Sequence, residues 1–580
     1  MRRPHIRALA LAVAVTTAAT GLAGTAVAAP AGQRVTAASV VGAARTAAFA
    51  HAGATGVAPG DELHALDVLI DPEGARHVRF ARTRLGMPVL GGDLVVHLTE
   101  RLGYAGVTRA AGHRVAATAT ASRARLTAGE AERKAAALAE GEAGPAELVV
   151  DAREGASALA YRVRVGGSAT TEAGGSRTVV VDAVTGEVRS DTPDSDEFLS
   201  PHLIDALRER GETVDPETGT APTTALAATA GGTGRSLFAG KVALTTTRTG
   251  AHGYLLKDPT RWGTETRDAG GREPENFARG KKFTSSTDKW GNGTLSSRAS
   301  AAVDAQYGVA ETLDFYKETF GRKGIAGNGK GARAMVHFGD KVANAFWDPA
   351  CGCMLYGDGD GREIRKPLVV LDVTGHELTH GVVDATAALE PTRVDEDGNQ
   401  YGEAGSLNES LADIFGSAVE FSAANPKNPP NYLVGEKLGL DQKFLRRLDK
   451  PSLDVLEGAV DYWSPAVRDA EVHAGSGVSS HAYYLLAEGS GRKRIGAVTY
   501  DSPTVDGLPA RGIGRAKAIA VYYRALTRYM VSTTDFHGAR TATLKAAKDL
   551  YGAGSAEYKA VDRSWAAVDV TAANTPAARH

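Results

Sequence analysis

Cysteine is almost missing from this chain, with only Cys351 and Cys353 in 580 residues. A disulfide-built scaffold is therefore excluded, and a lone C-x-C lacks the four ligands of a structural zinc site. In an oxidising compartment the two thiols can close a small strained ring or stay buried and reduced; the sequence leaves both open. An excess of charge of one sign is missing too. The 66 basic residues face 68 acidic ones, a net charge of -2, so nothing points to nucleic acid or an anionic membrane as partner. Beyond the N-terminus no apolar run approaches the roughly 20 residues needed to cross a bilayer. No internal repeat is found, which removes solenoids and propellers.

What is present is an ordinary globular composition, 43% apolar and 23% charged, in a chain long enough for several domains. The N-terminus carries Arg2, Arg3 and Arg7, then the apolar run 8–15, then the small residues Ala26-Val27-Ala28. That order predicts a secretory signal peptide over 1–28 and an exported, soluble product. A membrane anchor fits less well, because Thr16, Thr17 and Thr20 interrupt a run that is already short.

Residues 68–70, 77–80, 94–98, 148–150, 161–165 and 178–181 read as strands, and 182–186 as a turn. A helix is predicted over 128–138, opening on Thr127 with Glu130 completing a capping box. From Thr213 to Arg235 the chain turns to Thr, Ala, Gly and Pro and reads as a linker, where proteolytic nicking concentrates. Residues 236–370 mix strands with glycine turns, and from Leu371 helical patterns dominate, as at 516–530 and 541–551.

The chemistry lies at His376-Glu377-Leu378-Thr379-His380. Two histidines four apart share one helix face, so both imidazoles can reach one metal ion with a glutamate beside its water. Such a zinc lowers the water's pKa and polarises the scissile carbonyl, while Glu377 takes the proton and passes it to the leaving amine. The pentapeptide alone also fits two surface histidines beside a salt-bridging glutamate. Its flanking Gly375 and Gly381 argue for a closely packed helix, since each costs about 1 kcal/mol in a helix interior. A hydrolytic zinc needs a third protein ligand and an open position. Glu409 is the best candidate, because Asp413 follows it by four residues and can accept the second N–H of a ligand histidine. Glu390 and Glu403 are rivals without such a partner.

Together with Met335 to Gly339, Asn344 to Trp347, Tyr356 to Gly361, Leu407 to Gly416, Val472 to Gly477 and Tyr523 to Leu526, this box resembles the thermolysin-type metallopeptidases. These are secreted neutral proteases, and the likeness is to those of actinomycete-like bacteria. The resemblance runs from about residue 236 to the end. It implies an α+β, two-lobed zincin, with a strand-rich N-terminal lobe at 221–370 and a helical C-terminal lobe at 371–580. His376, His380 and Glu409 would hold one zinc per chain, Glu377 would be the general base, and His473 would stabilise the oxyanion. Either Asp469 or Glu471 would orient His473; Arg468 stands near where some relatives carry an aspartate.

The resemblance further implies that Asn344 and Ala345 belong to an edge strand that pairs with extended substrate. Tyr401 would be a second oxyanion contact and Arg446 would bind a substrate carbonyl. Leu445 and Val373 would line an apolar S1′ pocket, giving cleavage before bulky apolar residues. Asp372, Glu420 and Glu436 match a calcium site, so at least one Ca2+ is expected; Asn431 and Leu433 stand where carboxylates would complete a double site. The Asp-Gly-Asp-Gly at 358–361 reads as a glycine turn, because the twelfth position of an EF-hand loop would be Val369. The polar insert 393–399 is expected to form a surface loop.

Residues 29–220 are similar to the family's propeptide: a fungalysin/thermolysin-type segment at about 29–118, a second small α+β module at about 119–195, then linker. The propeptide would aid folding and block the cleft until the 213–235 linker is cut. The expected partners are protein and peptide substrates and this propeptide, with no nucleic acid, no membrane and a monomeric state. Two other functions fit part of the sequence. A zinc-stabilised binding protein would lack the base, a ligand or the oxyanion donor. An aminopeptidase would need a group to capture a free amine, and no such motif accompanies the zinc helix.

Overall fold

The computed structural model describes residues 36–571, except 111–114, 116–123, 140, 154, 167–175, 201–202, 204–227, 251, 275, 350 and 396. The expected signal peptide and residues 213–227 of the expected linker lie outside the described residues.

The region expected to be propeptide builds two small cores on one sheet. Helix α1 (Ala37–Ala50) opens on Thr36, whose side chain accepts from the Ser39 amide. Its Val40, Ala44 and Ala48, one helix face at four-residue spacing, pack with Phe80, Val96 and Leu98. Those residues lie on β2 (Arg76–Arg84) and β4 (Leu94–Leu98), flanked by β1 (Asp61–Ile70), β3 (Met87–Leu90) and β5 (Tyr104–Arg109). Helix α2 (Ala128–Leu138) carries the expected Thr127–Glu130 capping box. It buries Ala131 and Ala135 with Tyr161, Val163 and Val165 of β7 (Ala158–Gly166), which lies between β6 (Glu147–Asp151) and β8 (Arg177–Asp182). With β9 (Val188–Pro193) the strand order is β9-β8-β7-β6-β3-β2-β4-β5, and the parallel pair β3–β6 joins the modules.

Part of the expected linker is a strand. After β10 (Asp196–Glu197), β11 (Ala228–Arg235) pairs residue for residue with β12 (Lys241–Arg248). Its Thr, Ala and Gly residues read as linker because they have little to bury, yet their smallness is required. A Cβ on Gly234 would lie 2.4 Å from Val303 Cγ1, on the helix beneath. That helix, α3 (Arg298–Phe320), is the crossover between parallel strands β13 (Thr264–Arg272) and β14 (Arg333–Phe338). With β15 (Ala345–Asp348) and β16 (Cys353–Tyr356) the sheet runs β10-β15-β16-β14-β13, and the two-residue strands Lys257–Asp258 and Lys281–Lys282 pair with β13. β10, from the region before the expected linker, thus adds to the edge of this sheet. A disulfide joins Cys351, in the turn after β15, to Cys353, the first residue of β16. The turn at 358–361 places Gly359 and Gly361 at positive φ, and Asp358 accepts from His337 Nδ1 at 2.7 Å.

The helical lobe is organised around α4 (Leu371–Asp384) and α5 (Glu403–Ala423). Every residue of α4 from Leu371 to Val383 is buried. The glycines permit this closeness: a Cβ on Gly375 would lie 3.0 Å from Gly416 Cα, and one on Gly381 2.7 Å from Trp347. Around this pair stand α6 (Val472–Gly475), α7 (Gly477–Ala487), α8 (Arg515–Arg528), α9 (Phe536–Tyr551) and α10 (Ala556–Ala566). Helix α9 begins five residues before its expected start, at an Asp535 cap that accepts from the Gly538 amide. The polar insert forms a hairpin, Arg393–Val394 against Gln400–Tyr401.

Propeptide and helical lobe are tied by polar contacts. Asp71 receives His77 Nε2 at 2.9 Å, Arg528 Nε at 3.2 Å, and Arg524. Arg79 Nη2 donates to Met530 O at 2.9 Å, and Ser532 Oγ to Asp93 at 2.6 Å.

Candidate metal centre

Helices α4 and α5 run in opposite directions, so His376 and His380 on one face two residue pairs on the other. His376 Nδ1 meets Asp413 Oδ1 at 2.8 Å, and His380 Nδ1 meets Asn408 Oδ1 at 3.0 Å. With both Nδ1 atoms engaged, both Nε2 atoms point at Glu409: 3.4 Å from His376 to Oε2 and 3.6 Å from His380 to Oε1. The three residues are buried and their ligand atoms lie within 4.8 Å of one another. Two imidazoles and a carboxylate make a tetrahedral zinc set with one position open.

Glu377 stands inside the same helix, fully buried, with no side chain hydrogen-bonded to its carboxylate and the Trp347 backbone N–H directed at it. Burial, then the charges of Glu409 and Asp196, push its carboxyl well above the usual range. Burial opposes ionisation of Glu409 as well, but His473, His380 and His376 hold its pKa down. Glu409 Oε2 is also buried, with His376 Nε2 at 3.4 Å and His473 Nε2 at 3.5 Å. Buried carboxylate charges are costly, and a dication among them removes that cost. The donor set therefore fits a zinc ion.

Beside the centre, His473 Nδ1 meets Glu471 Oε1 at 2.9 Å, while Glu471 Oε2 accepts the His473 amide at 2.8 Å. Burial works against the imidazolium, but Glu471 and Glu409 raise the His473 pKa well above its ordinary value. Asp469, the other candidate to orient His473, is 83% exposed and faces Arg393. The Tyr401 hydroxyl donates to Asp395 at 2.6 Å, with the Arg393 guanidinium 3.8 Å from its ring centroid. Glu403 accepts from Trp463, Arg468 and the Phe536 amide, and Glu390 pairs with Arg153 at 3.6 Å. Neither of these two rivals joins the metal group among the described residues.

Residues 196–199, within the region expected to be propeptide, lie along the β15 edge of the sheet. β10 pairs with β15, Asp196 opposite Trp347 and Glu197 opposite Phe346. Asn344 Oδ1 accepts the Leu199 amide at 3.0 Å, Ala345 O accepts that of Phe198 at 3.1 Å, and Arg446 Nη1 donates to Phe198 O at 3.0 Å.

A second buried group lies at the N-terminal end of α4. Asp372 Oδ1, Glu420 Oε2 and Glu436 Oε2 all lack partners. Burial, then mutual repulsion, raises the carboxyls of Asp372 and Glu420, and burial raises that of Glu436. Asn431 Nδ2 donates to Glu436 Oε1 at 3.0 Å.

Sequence reasoning missed Asn408, whose position beside a ligand glutamate gave no sign of its role. The signal was available in principle. Two ligand histidines four residues apart need two outer acceptors about one turn apart on the facing helix.

Comparison with known proteins places residues 231–384 in the family described as "Thermolysin metallopeptidase, catalytic domain". Residues 399–570 match "Thermolysin metallopeptidase, alpha-helical domain", and 61–101 match the "Fungalysin/Thermolysin Propeptide Motif". The "Transglutaminase-activating metalloprotease" of Streptomyces mobaraensis is 40% identical over 522 residues, 89% of this chain and 62% of that protein. The "Thermostable neutral protease NprT" of Geobacillus stearothermophilus is 32% identical over 432 residues, 73% of this chain and 68% of its own length. The chain thus spans less than two thirds of the first of these relatives. Among solved structures, the "Precursor of Protealysin, Metalloproteinase from Serratia proteamaculans" is 23% identical with a TM-score of 0.42, covering 65% of this chain and 100% of its own.

Proposed function

The chain belongs to the thermolysin family of metallopeptidases, and on that premise we propose that it is a secreted, zinc-dependent endopeptidase made as an inhibited precursor. Its cut falls on the N-terminal side of bulky apolar residues. The observation that carries this reading is the convergence of the buried His376, His380 and Glu409, with the buried Glu377 carboxylate on the same helix as the two histidines.

His376, His380 and Glu409 hold the zinc; bound there, it supplies Lewis-acid polarisation of the scissile carbonyl and a water of lowered pKa. Glu377 accepts the proton of the attacking water and delivers it to the departing nitrogen. Its raised affinity for protons when metal-free reflects burial and neighbouring carboxylates, and a nearby dication reverses that balance. His473, oriented by Glu471, donates to the oxygen on which negative charge develops. Asn344, Ala345 and Arg446 hold the substrate backbone extended, as β-augmentation of the sheet edge. Tyr401 reaches the oxyanion only if it leaves Asp395.

Val373 and Leu445, both buried, border an apolar pocket suited to a large side chain after the bond. The propeptide inhibits by occupying the backbone sites that a substrate needs. Asp372, Glu420 and Glu436 hold a calcium ion, supported by their three buried, unpartnered oxygens.

The test is cleavage of terminally blocked peptides by the matured protein, with cut sites read by mass spectrometry. Cuts before Leu or Phe, lost with a zinc chelator and in Glu377→Gln, are expected. A matured protein that binds zinc and cuts nothing would sink the reading.

A further inference from the structure

The propeptide segment does more than cover the centre. Four successive backbone groups, from Glu197 O to the Leu199 amide, have partners in the cleft. His473 Nε2 meets Glu197 O at 2.9 Å, so the proposed oxyanion donor already holds one particular carbonyl. The next residue, Phe198, gives its amide to Ala345 O and its carbonyl to Arg446. The Leu199 amide goes to the Asn344 side chain. The Phe198 ring is fully buried; it meets His376 edge-on at 5.2 Å between centroids. Its tip reaches Gly435, where an added Cβ would sit 3.5 Å from the ring and 3.2 Å from Leu445 Cβ. A large apolar side chain thus follows directly after the carbonyl that faces the catalytic groups. That is the order of a substrate; a segment threaded backwards would put its pocket residue before that carbonyl.

We propose that the Glu197–Phe198 bond is the chain's own first substrate, cut within the same molecule. The inference rests on the proposed peptidase activity and adds to it a substrate and a bond. Hydrolysis breaks the bond between Glu197 C and Phe198 N and consumes one water. The water oxygen joins Glu197, which ends as a carboxylate, and Phe198 N leaves as an ammonium group after Glu377 passes on the proton. The first cut therefore lies upstream of the 213–235 stretch and leaves residues 198–227 attached to the catalytic unit. Cutting is not release. The new Glu197 end keeps its pairing with β15, and Asp71, Arg79 and Asp93 still bind the helical lobe. The nicked molecule stays inhibited until the propeptide departs.

The test uses the full precursor, wild type and Glu377→Gln, loaded with zinc. Termini are mapped by mass spectrometry over time at several protein concentrations, with a blocked peptide assayed in parallel. Expected first is a fragment pair ending at Glu197 and beginning at Phe198, formed at a rate independent of concentration and absent in Glu377→Gln. Phe198→Asp slows this cut by about tenfold or more, because a carboxylate must enter an apolar pocket, whereas Phe198→Leu keeps it. In intact Glu377→Gln precursor the Phe198 and Leu199 amides exchange hydrogen slowly, and adding Arg446→Ala speeds them. If the blocked peptide is cut while the first termini fall within 204–227 and none at 197/198, the inference is overturned and the peptidase stands. Rapid exchange of both amides overturns it as well. If neither the blocked peptide nor the chain is cut, the proposed function fails, and this inference with it.

Discussion

Arg446 grips Asp413 through two hydrogen bonds, Nε to Oδ2 at 2.8 Å and Nη2 to Oδ1 at 2.9 Å, while the same Oδ1 meets His376 Nδ1. One buried carboxylate thereby fixes both a metal ligand and the arginine that donates to Phe198 O. Burial disfavours its charge, yet Arg446 and His376 bring its pKa down to about 2. Charge-assisted, two-pronged pairing of this kind also fixes geometry.

Asp413→Asn should therefore damage two functions at once. Zinc affinity should fall by about 10- to 100-fold, read by competition with a chromophoric chelator, and KM should rise. Asn408→Ala, which frees only His380, should weaken zinc without the same rise in KM. Equal effects on KM would contradict the separate roles.

Glu377→Gln should lower kcat by about 10²- to 10⁴-fold, the range of a lost general base. Zinc content, measured by mass spectrometry of the metal, should not change, since Glu377 lies outside the ligand set. Loss of zinc in this variant would make Glu377 a ligand.

Removing the His473 side chain in His473→Ala should cost about 10²- to 10³-fold in kcat, with little change in KM. Glu471→Gln should lower kcat less, through a misaligned imidazole. Asp469→Asn should leave kcat unchanged, because that side chain is exposed on the loop.

Calcium removal should destabilise the matured protein. A site filled at about 100 times its Kd contributes about 2.7 kcal/mol, so EGTA should lower Tm measurably by calorimetry. Glu420→Gln with Glu436→Gln should remove the calcium dependence of Tm. A Tm indifferent to EGTA in the native sequence would argue against the site.

Propeptide packing should weaken in mild acid. His97 is buried, meets His77 Nδ1 at 2.8 Å and Thr108 Oγ1 at 3.0 Å, and packs on the Tyr529 ring. Burial, then His77, Lys545 and Arg79, push its pKa well below 6.5 against the pull of Asp71. Its folded pKa is depressed, so its contribution is full above the unfolded value and is lost as pH falls from there towards the folded value. Below pH ~6.5 the stability of the Glu377→Gln precursor should fall by up to ~1.4 kcal/mol per pH unit. Calorimetry across that range should show the slope, and His97→Asn should flatten it.

The zinc ligands, the base and the outer carboxylate were legible in the sequence because helical periodicity fixes them. Residues four apart on a helix share a face wherever the helix lies, so His376 with His380, and Glu409 with Asp413, could be paired without coordinates. The Thr127–Glu130 cap and the propeptide strands followed from equally local rules. Other features depended on contacts between distant segments. Glu471 rather than Asp469 beside His473, Asn408 behind His380, and the strand at Ala228–Arg235 each need a partner that local sequence does not name. The Thr, Ala and Gly of that strand look like linker until Val303 and Leu244 crowd Gly234. The placement of Glu197 and Phe198 in the cleft was the least legible. It joins residues nearly 150 positions from Asn344 and about 280 from His473. Spacing along the chain determined which groups share a helix face; only the folded molecule decided which bond of the propeptide lies across them.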